Sequence, residues 1–210
     1  MKVTAIILAG GKSRRMGGDN KAFVKYHEVT LLERALLKTE KFCEVLIISS
    51  EENFDDYIAW INDEGSRLSL HLKSKIRVVK DEIEEKGPLG GIYTGLMHSS
   101  CEKSVVMPID TPLLPVEYFD FLLSKAEKYD GVTAKINGFM QPACAVYNKS
   151  VKEKIKNLIR QDVLSLREMI DYLNVLVIEE QDLSTYGLRS QQFMNVNSLK
   201  ELRQLVSYED

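Results

Sequence analysis

A short apolar run, residues 3–8, passes directly into LAGGKSRRMGGDNK, residues 8–21. No other stretch limits the fold as strongly. The run reads as a buried β-strand. The loop behind it packs four glycines, two arginines and two lysines into fourteen residues. Glycines let a backbone approach a ligand closely and turn its N–H groups inward. The cations add charge that answers polyphosphate. Such a loop after the first strand of an α/β sheet is a place to hold a nucleoside triphosphate. Spacing excludes two common nucleotide motifs. GKS at 11–13 would need a further glycine at position 6, which is Ile6, so the P-loop pattern fails. The glycines are adjacent, so GxGxxG fails too.

Strand-like and helix-like patterns alternate behind this loop. Residues 45–48, 76–79 and 104–107 read as strands. Leu32, Ala35 and Leu36 repeat at helical spacing, Ile92 and Leu96 suit a helix starting near Pro88, and Pro115 opens a stripe of Phe119, Leu122, Leu123 and Ala126. This alternation predicts a three-layer, Rossmann-like α/β fold with a mostly parallel sheet and helices on both faces. In the last third, residues 131–136 and 143–147 flank Asn137-Gly138, the strongest short hairpin signal. A small antiparallel addition is expected there. Val151, Ile155, Leu158 and Ile159 follow at helical spacing, 175–178 is a further strand, and Ser198 with Glu201 is a capping-box pattern. No repeat or linker interrupts the chain, so residues 1–210 are read as one domain.

Four segments carry the chemistry. The Gly loop is the first. Asp110, in MPIDTPLL, follows a buried strand; a carboxylate there suits a hard cation such as Mg²⁺, while a turn cap is the plainer reading. GPLGG, residues 87–91, precedes a helical pattern and suits a base or phosphate met by backbone N–H groups, or simply a turn. Asp81, at the end of the strand before it, is placed to accept from a sugar or base, or to be a surface acid. Asn195 and Asn197 flank Val196 ahead of the Ser198 cap; amides there can ligate a metal weakly or bond phosphate oxygens, or serve as turn residues. His27, His71 and His98 have no ligand-like spacing.

The composition fits this picture. A formal net charge of −3 argues against a general nucleic-acid binder, although Lys12, Arg14, Arg15, Lys21 and Lys25 make a local basic site against Asp19 alone. Cys43, Cys101 and Cys144 form no CxxC or Cys/His spacing; each reads as a buried thiol in a reducing cytosol. No signal peptide or membrane span is predicted, which places the chain in the cytoplasm.

Taken together, LAGGKSRRMGGDNK, GPLGG, PIDTP and NVN, in this order and over this length, resemble the molybdenum cofactor guanylyltransferases. These belong to the nucleotidyltransferases with a glycosyltransferase-A-like, Rossmann-related fold. The resemblance implies transfer of GMP from GTP to molybdopterin or its molybdenum-loaded form, with Mg²⁺ as cofactor and pyrophosphate released. It implies that Leu8, Ala9, Gly10, Gly11 and Gly90 line the nucleotide and that Arg15 and Lys21 contact phosphate. Asp81 would approach the guanosine, Asp110 would bind Mg²⁺, and Asn195 and Asn197 would lie at the metal and phosphate end. Arg15, Lys21 and Asp110 become the expected catalytic set. Transient contact with cofactor-delivery proteins or molybdoenzymes is implied, and neither nucleic acid nor membrane is a partner. Two positions depart from the pattern. The family usually has Asp before the motif lysine, where this chain has Asn20. It often has Asn after its second strand, where this chain has Ser49-Ser50-Glu51-Glu52. A cytidylyltransferase acting on a pterin or sugar phosphate, and a non-catalytic nucleotide-binding relative, stay open as alternatives.

Overall fold

The computed structural model describes residues 1–10, 20–63, 68–83, 86–198 and 201–202. Its centre is a seven-stranded sheet. Four strands are parallel: β1 (Val3–Leu8), β4 (Glu44–Ser49), β5 (Ile76–Lys80) and β6 (Lys103–Pro108). Three complete it: β7 (Gly131–Ile136), β8 (Phe139–Asn148) and β9 (Val175–Glu179). The order across the sheet is β5-β4-β1-β6-β8-β7-β9. β8 runs antiparallel to both β6 and β7, and β7 and β9 pair in parallel. A second sheet of two short strands, β2 (Lys25–Tyr26) and β3 (Val29–Thr30), lies apart.

Helices cover both faces, and strand alternation decides which side chain meets which helices. Ala5, Ile7, Val45, Ile47, Val105 and Met107 face one core. There they pack with Leu32 and Leu36 of α1 (Leu31–Leu37), Tyr57 and Trp60 of α2 (Phe54–Asp63), and Phe119 and Leu122 of α5 (Val116–Lys125). Ile6, Leu46, Ile48 and Val106 face the other. They meet α4 (Gly87–His98), α6 (Lys152–Arg160) and α7 (Leu166–Tyr172). Two further helices, α3 (Leu70–Lys73) and α8 (Glu180–Ser184), are about one turn long. Burial on both faces is why β1, β4 and β6 read as largely apolar runs.

α4 lies very close to β1. A Cβ added at Gly95 would stand 2.5 Å from Ile6 Cγ2, closer than side chains approach, so the helix axis can sit there only over a glycine. GPLGG is the first turn of this helix itself, with Pro88 in the opening turn and Gly87 at φ +59°. The Asn137-Gly138 hairpin joins β7 to β8 with φ of 50° and 81°, the left-handed pair a two-residue turn requires. β8 begins at Phe139, four residues before the expected start.

The sheet reverses its winding next to β1. The chain passes outward from β1 to β4 and β5, then returns to β6 on the other side of β1. Leu8 pairs with Pro108, and the Ile109 N–H donates to the Leu8 carbonyl at 3.1 Å. Both chains therefore leave the sheet side by side at a topological switch point, where open α/β sheets hold their ligands.

Candidate active site

At this switch point three distant residues meet. Asn20 Oδ1 accepts the Ala22 N–H at 3.0 Å and so caps the 3₁₀ turn Lys21–Phe23. That turn projects Lys21, whose Nζ donates to Asp110 Oδ2 at 2.9 Å and to Asn197 Oδ1 at 3.0 Å. The Lys21 and Asp110 side chains keep 13% and 23% of their surface exposed. The pair is shielded on one side and open on the other, so its charge is neither fully screened nor stripped of solvent.

The segment carrying Asn197 is pinned from behind. The Val196 N–H donates to the Asp110 carbonyl at 2.8 Å, and the Val196 side chain is buried between two exposed amides, Asn195 and Asn197. Phe193 meets Tyr118 edge-on at 4.9 Å. The Glu201 N–H donates to Ser198 Oγ at 3.2 Å, and Glu201 Oε2 accepts the Asn197 N–H at 2.6 Å. Residues 195–197 thus extend along the Asp110 loop with their amides outward.

The other expected residues spread along the same strand ends. Leu8 is half-buried, Ala9 donates its N–H to the Ile48 carbonyl at 3.0 Å, and Gly10 is exposed. Asp81 follows β5, two strands away from β1. Its N–H donates to the Ser49 carbonyl at 2.8 Å. Its Oδ1 accepts from Thr94 Oγ1 at 2.8 Å and from the Ile83 N–H at 3.3 Å. Gly90 lies against it: a Cβ there would sit 3.3 Å from Asp81 Oδ2 and 3.0 Å from the Ile83 carbonyl oxygen. The structure thus forms two groups, Lys21–Asp110–Asn197 near β1 and β6, and Asp81–Gly90 near β5, with Ala9 and Gly10 on the strand-end path between them. Gly11 and Arg15, with Arg14, lie outside the described residues.

Three supporting residues escaped sequence reasoning. Tyr57 Oη donates to the Ala9 carbonyl at 2.9 Å and meets Asn20 Oδ1 at 3.4 Å, tying the two ends of the Gly segment together. Burial pushes its phenol up to about 12. Thr94, fully buried on α4, orients Asp81. Lys38, just past α1, donates to the Pro112 carbonyl at 2.7 Å and the Thr111 carbonyl at 3.3 Å. Burial, with the nearby Arg34 cation, pushes its ammonium down to about 8. None of the three stands in a motif. A half-buried lysine is legible only as a charge next to a helical apolar stripe, which is usually solvated.

The cysteines also differ from expectation. Cys101 and Cys144 are buried, but Cys43 is exposed. It precedes β4, where the chain enters the sheet at its rim.

The oxygens on Lys21 make a hard donor set. Asp110 Oδ2 and Asn197 Oδ1 already share one cation, the lysine ammonium. A carboxylate, an amide oxygen and phosphate oxygens suit Mg²⁺, which takes few protein ligands and keeps water. Among the described residues no three His, Cys, Asp or Glu side chains gather as a closed metal site. Among them also, no helix is long and apolar enough to cross a membrane.

Comparison with known proteins bears on the family and the fold. A family model described as the MobA-like NTP transferase domain matches residues 5–176. A probable molybdenum cofactor guanylyltransferase of Clostridium perfringens is 30% identical over 208 residues, 98% of this chain and 97% of that one. A Bacillus cereus protein of the same name is 32% identical over 204 residues, covering 95% and 94%. The crystal structure of molybdopterin-guanine dinucleotide biosynthesis protein A from Archaeoglobus fulgidus superposes over the full length of both chains, with a TM-score of 0.78 at 22% identity.

Proposed function

The chain belongs to the MobA-like NTP transferase family, and from that premise we propose that it is a molybdenum cofactor guanylyltransferase. It is a nucleotidyltransferase, and its reaction moves GMP from GTP to molybdopterin with release of pyrophosphate. The observation that carries the site assignment is the single ammonium of Lys21 bridging Asp110 and Asn197. This is a charge centre at a sheet switch point, built from residues far apart in sequence.

The acceptor's terminal phosphate is already an anion near neutral pH, so no strong base is required to make it a nucleophile. The barrier lies in bringing one anion against another. Lys21 supplies cationic charge at the triphosphate and stabilises the pyrophosphate as it departs. Asp110 and Asn197 would hold Mg²⁺, which supplies charge neutralisation at the phosphates. Ala9 and Gly10 follow β1 at the strand end, on the side where the nucleotide would lie, and Asp81 with Gly90 would meet its base end. Fixing both substrates in line supplies the remainder of the rate.

The decisive experiment measures pyrophosphate release from GTP, CTP, ATP and UTP, with and without purified molybdopterin, across a Mg²⁺ titration. Release from GTP that requires both molybdopterin and Mg²⁺ is expected. Preferential use of CTP would reassign the base. Nucleotide binding without release under any combination would make the chain a non-catalytic relative.

A further inference from the structure

At the opposite edge of the sheet two thiols touch. Cys43 Sγ and Cys101 Sγ are 2.9 Å apart, although 58 positions separate them in sequence. Cys43 precedes β4 and Cys101 precedes β6, and β1 runs between those strands. Both are held in place by hydrogen bonds. The Cys43 N–H and Sγ–H both donate to the Val3 carbonyl at 3.1 Å. The Cys101 N–H donates to Ser99 Oγ at 3.2 Å, and Ser99 Oγ lies 2.8 Å from Thr4 Oγ1. Cys101 is buried and Cys43 is exposed, at an open cleft lined by Met1, Lys2, Ser100 and Glu102.

We propose that Cys43 and Cys101 are a reactive dithiol that closes to an intrachain disulfide, with a low-molecular-weight disulfide as oxidant. The exposed Cys43 thiolate attacks one sulfur of the small disulfide. A mixed disulfide forms on Cys43, and the first small thiol leaves. Cys101 then gives up its proton and attacks Cys43 Sγ, and the second small thiol leaves with a proton. Two protein thiols are oxidised and one small disulfide is reduced to two thiols, so electrons and protons balance. Closure asks the sulfurs to approach by less than about 1 Å, a side-chain adjustment. Burial and the Cys101 sulfur push the Cys43 thiol up, so exchange is best driven at mildly alkaline pH with excess oxidant. The bond would join the entries to β4 and β6 across β1, at the edge away from Lys21. It would act as a lock on the unfolded ensemble.

The test incubates the full chain with excess oxidised glutathione, then denatures and alkylates it for intact mass and peptide mapping. The oxidised wild type should take up one alkyl group, on Cys144, and give a cross-linked Cys43–Cys101 peptide. Its melting midpoint should rise by about 5–10 °C and fall back on reduction. Cys101→Ser should stop at a mixed disulfide on Cys43. Cys43→Ser should keep two alkylatable thiols. Three alkylations in the treated wild type would overturn the proposal. So would a persistent mixed disulfide on the wild type, or cross-links only between chains.

Discussion

Lys21 donates to two oxygens, one from the middle of the chain and one from near its carboxyl end, and its removal acts on both. Lys21→Ala should lower kcat/KM for GTP by about 100–1000-fold, the usual effect of deleting one preorganised charge donor. Steady-state pyrophosphate release reads this directly. Asp110→Ala should abolish the Mg²⁺-dependent rate while leaving the melting midpoint within a few degrees of wild type. A Mg²⁺ response in that variant equal to wild type would remove Asp110 from the metal site. Lys38 is tested through stability. Lys38→Met leaves the Thr111 and Pro112 carbonyls short of a donor and should cost about 1–3 kcal/mol. The pH sign follows from its lowered folded pKa of about 8, against 10.5 when solvated. Between those values the unfolded chain holds the proton and the folded chain has released it, so the wild type gains stability as pH rises. Urea unfolding at pH 8 and pH 10 should show this gain in wild type and a smaller one in Lys38→Met.

Elements show where local rules suffice. The β7–β8 hairpin follows from Asn137-Gly138, because those residues tolerate the φ values the turn imposes. The β2–β3 hairpin uses the same left-handed backbone at His27 and Glu28, with φ of 48° and 63°. Nothing in those residue types announces a turn, so sequence reasoning passed over it. α4 was legible from Ile92 and Leu96, yet its contact with β1 was not. The 2.5 Å approach at Gly95 belongs to the pair of elements together. Gly95→Ala should therefore destabilise the chain by about 1–3 kcal/mol through overpacking. Combined with Ile6→Val, the loss should be smaller than the sum of the single losses, because both side chains contest one space. Additive losses in denaturant unfolding would place the strain elsewhere.

For the whole molecule, the two edges of the sheet do different work. The carboxyl edge holds Lys21, Asp110 and Asn197, and the amino edge is tied by Glu44. Its Oε2 accepts from Thr4 Oγ1, the Ser100 N–H and Ser100 Oγ at 2.8, 2.9 and 3.0 Å, and its Oε1 from Arg77 at 3.0 Å. Burial alone would raise its pKa, but these donors, led by the Ser100 N–H, outweigh burial and lower it. Its contribution is therefore present above the ordinary carboxylate range and lost as pH falls through the lowered value. Glu44→Gln should flatten that part of the acid-unfolding curve, followed by circular dichroism. The sequence by itself determined the strand–helix alternation and the first strand with the basic glycine loop behind it. Those are written in local periodicity and in backbone preferences that neighbouring residues carry. Only the tertiary structure decided that positions 21, 110 and 197 meet at one cation, that the half-buried Lys38 donates to the Thr111 and Pro112 carbonyls, and that Cys43 touches Cys101. Each is a contact across tens of residues, and the order in which strands enter the sheet makes it, which no short window of sequence contains.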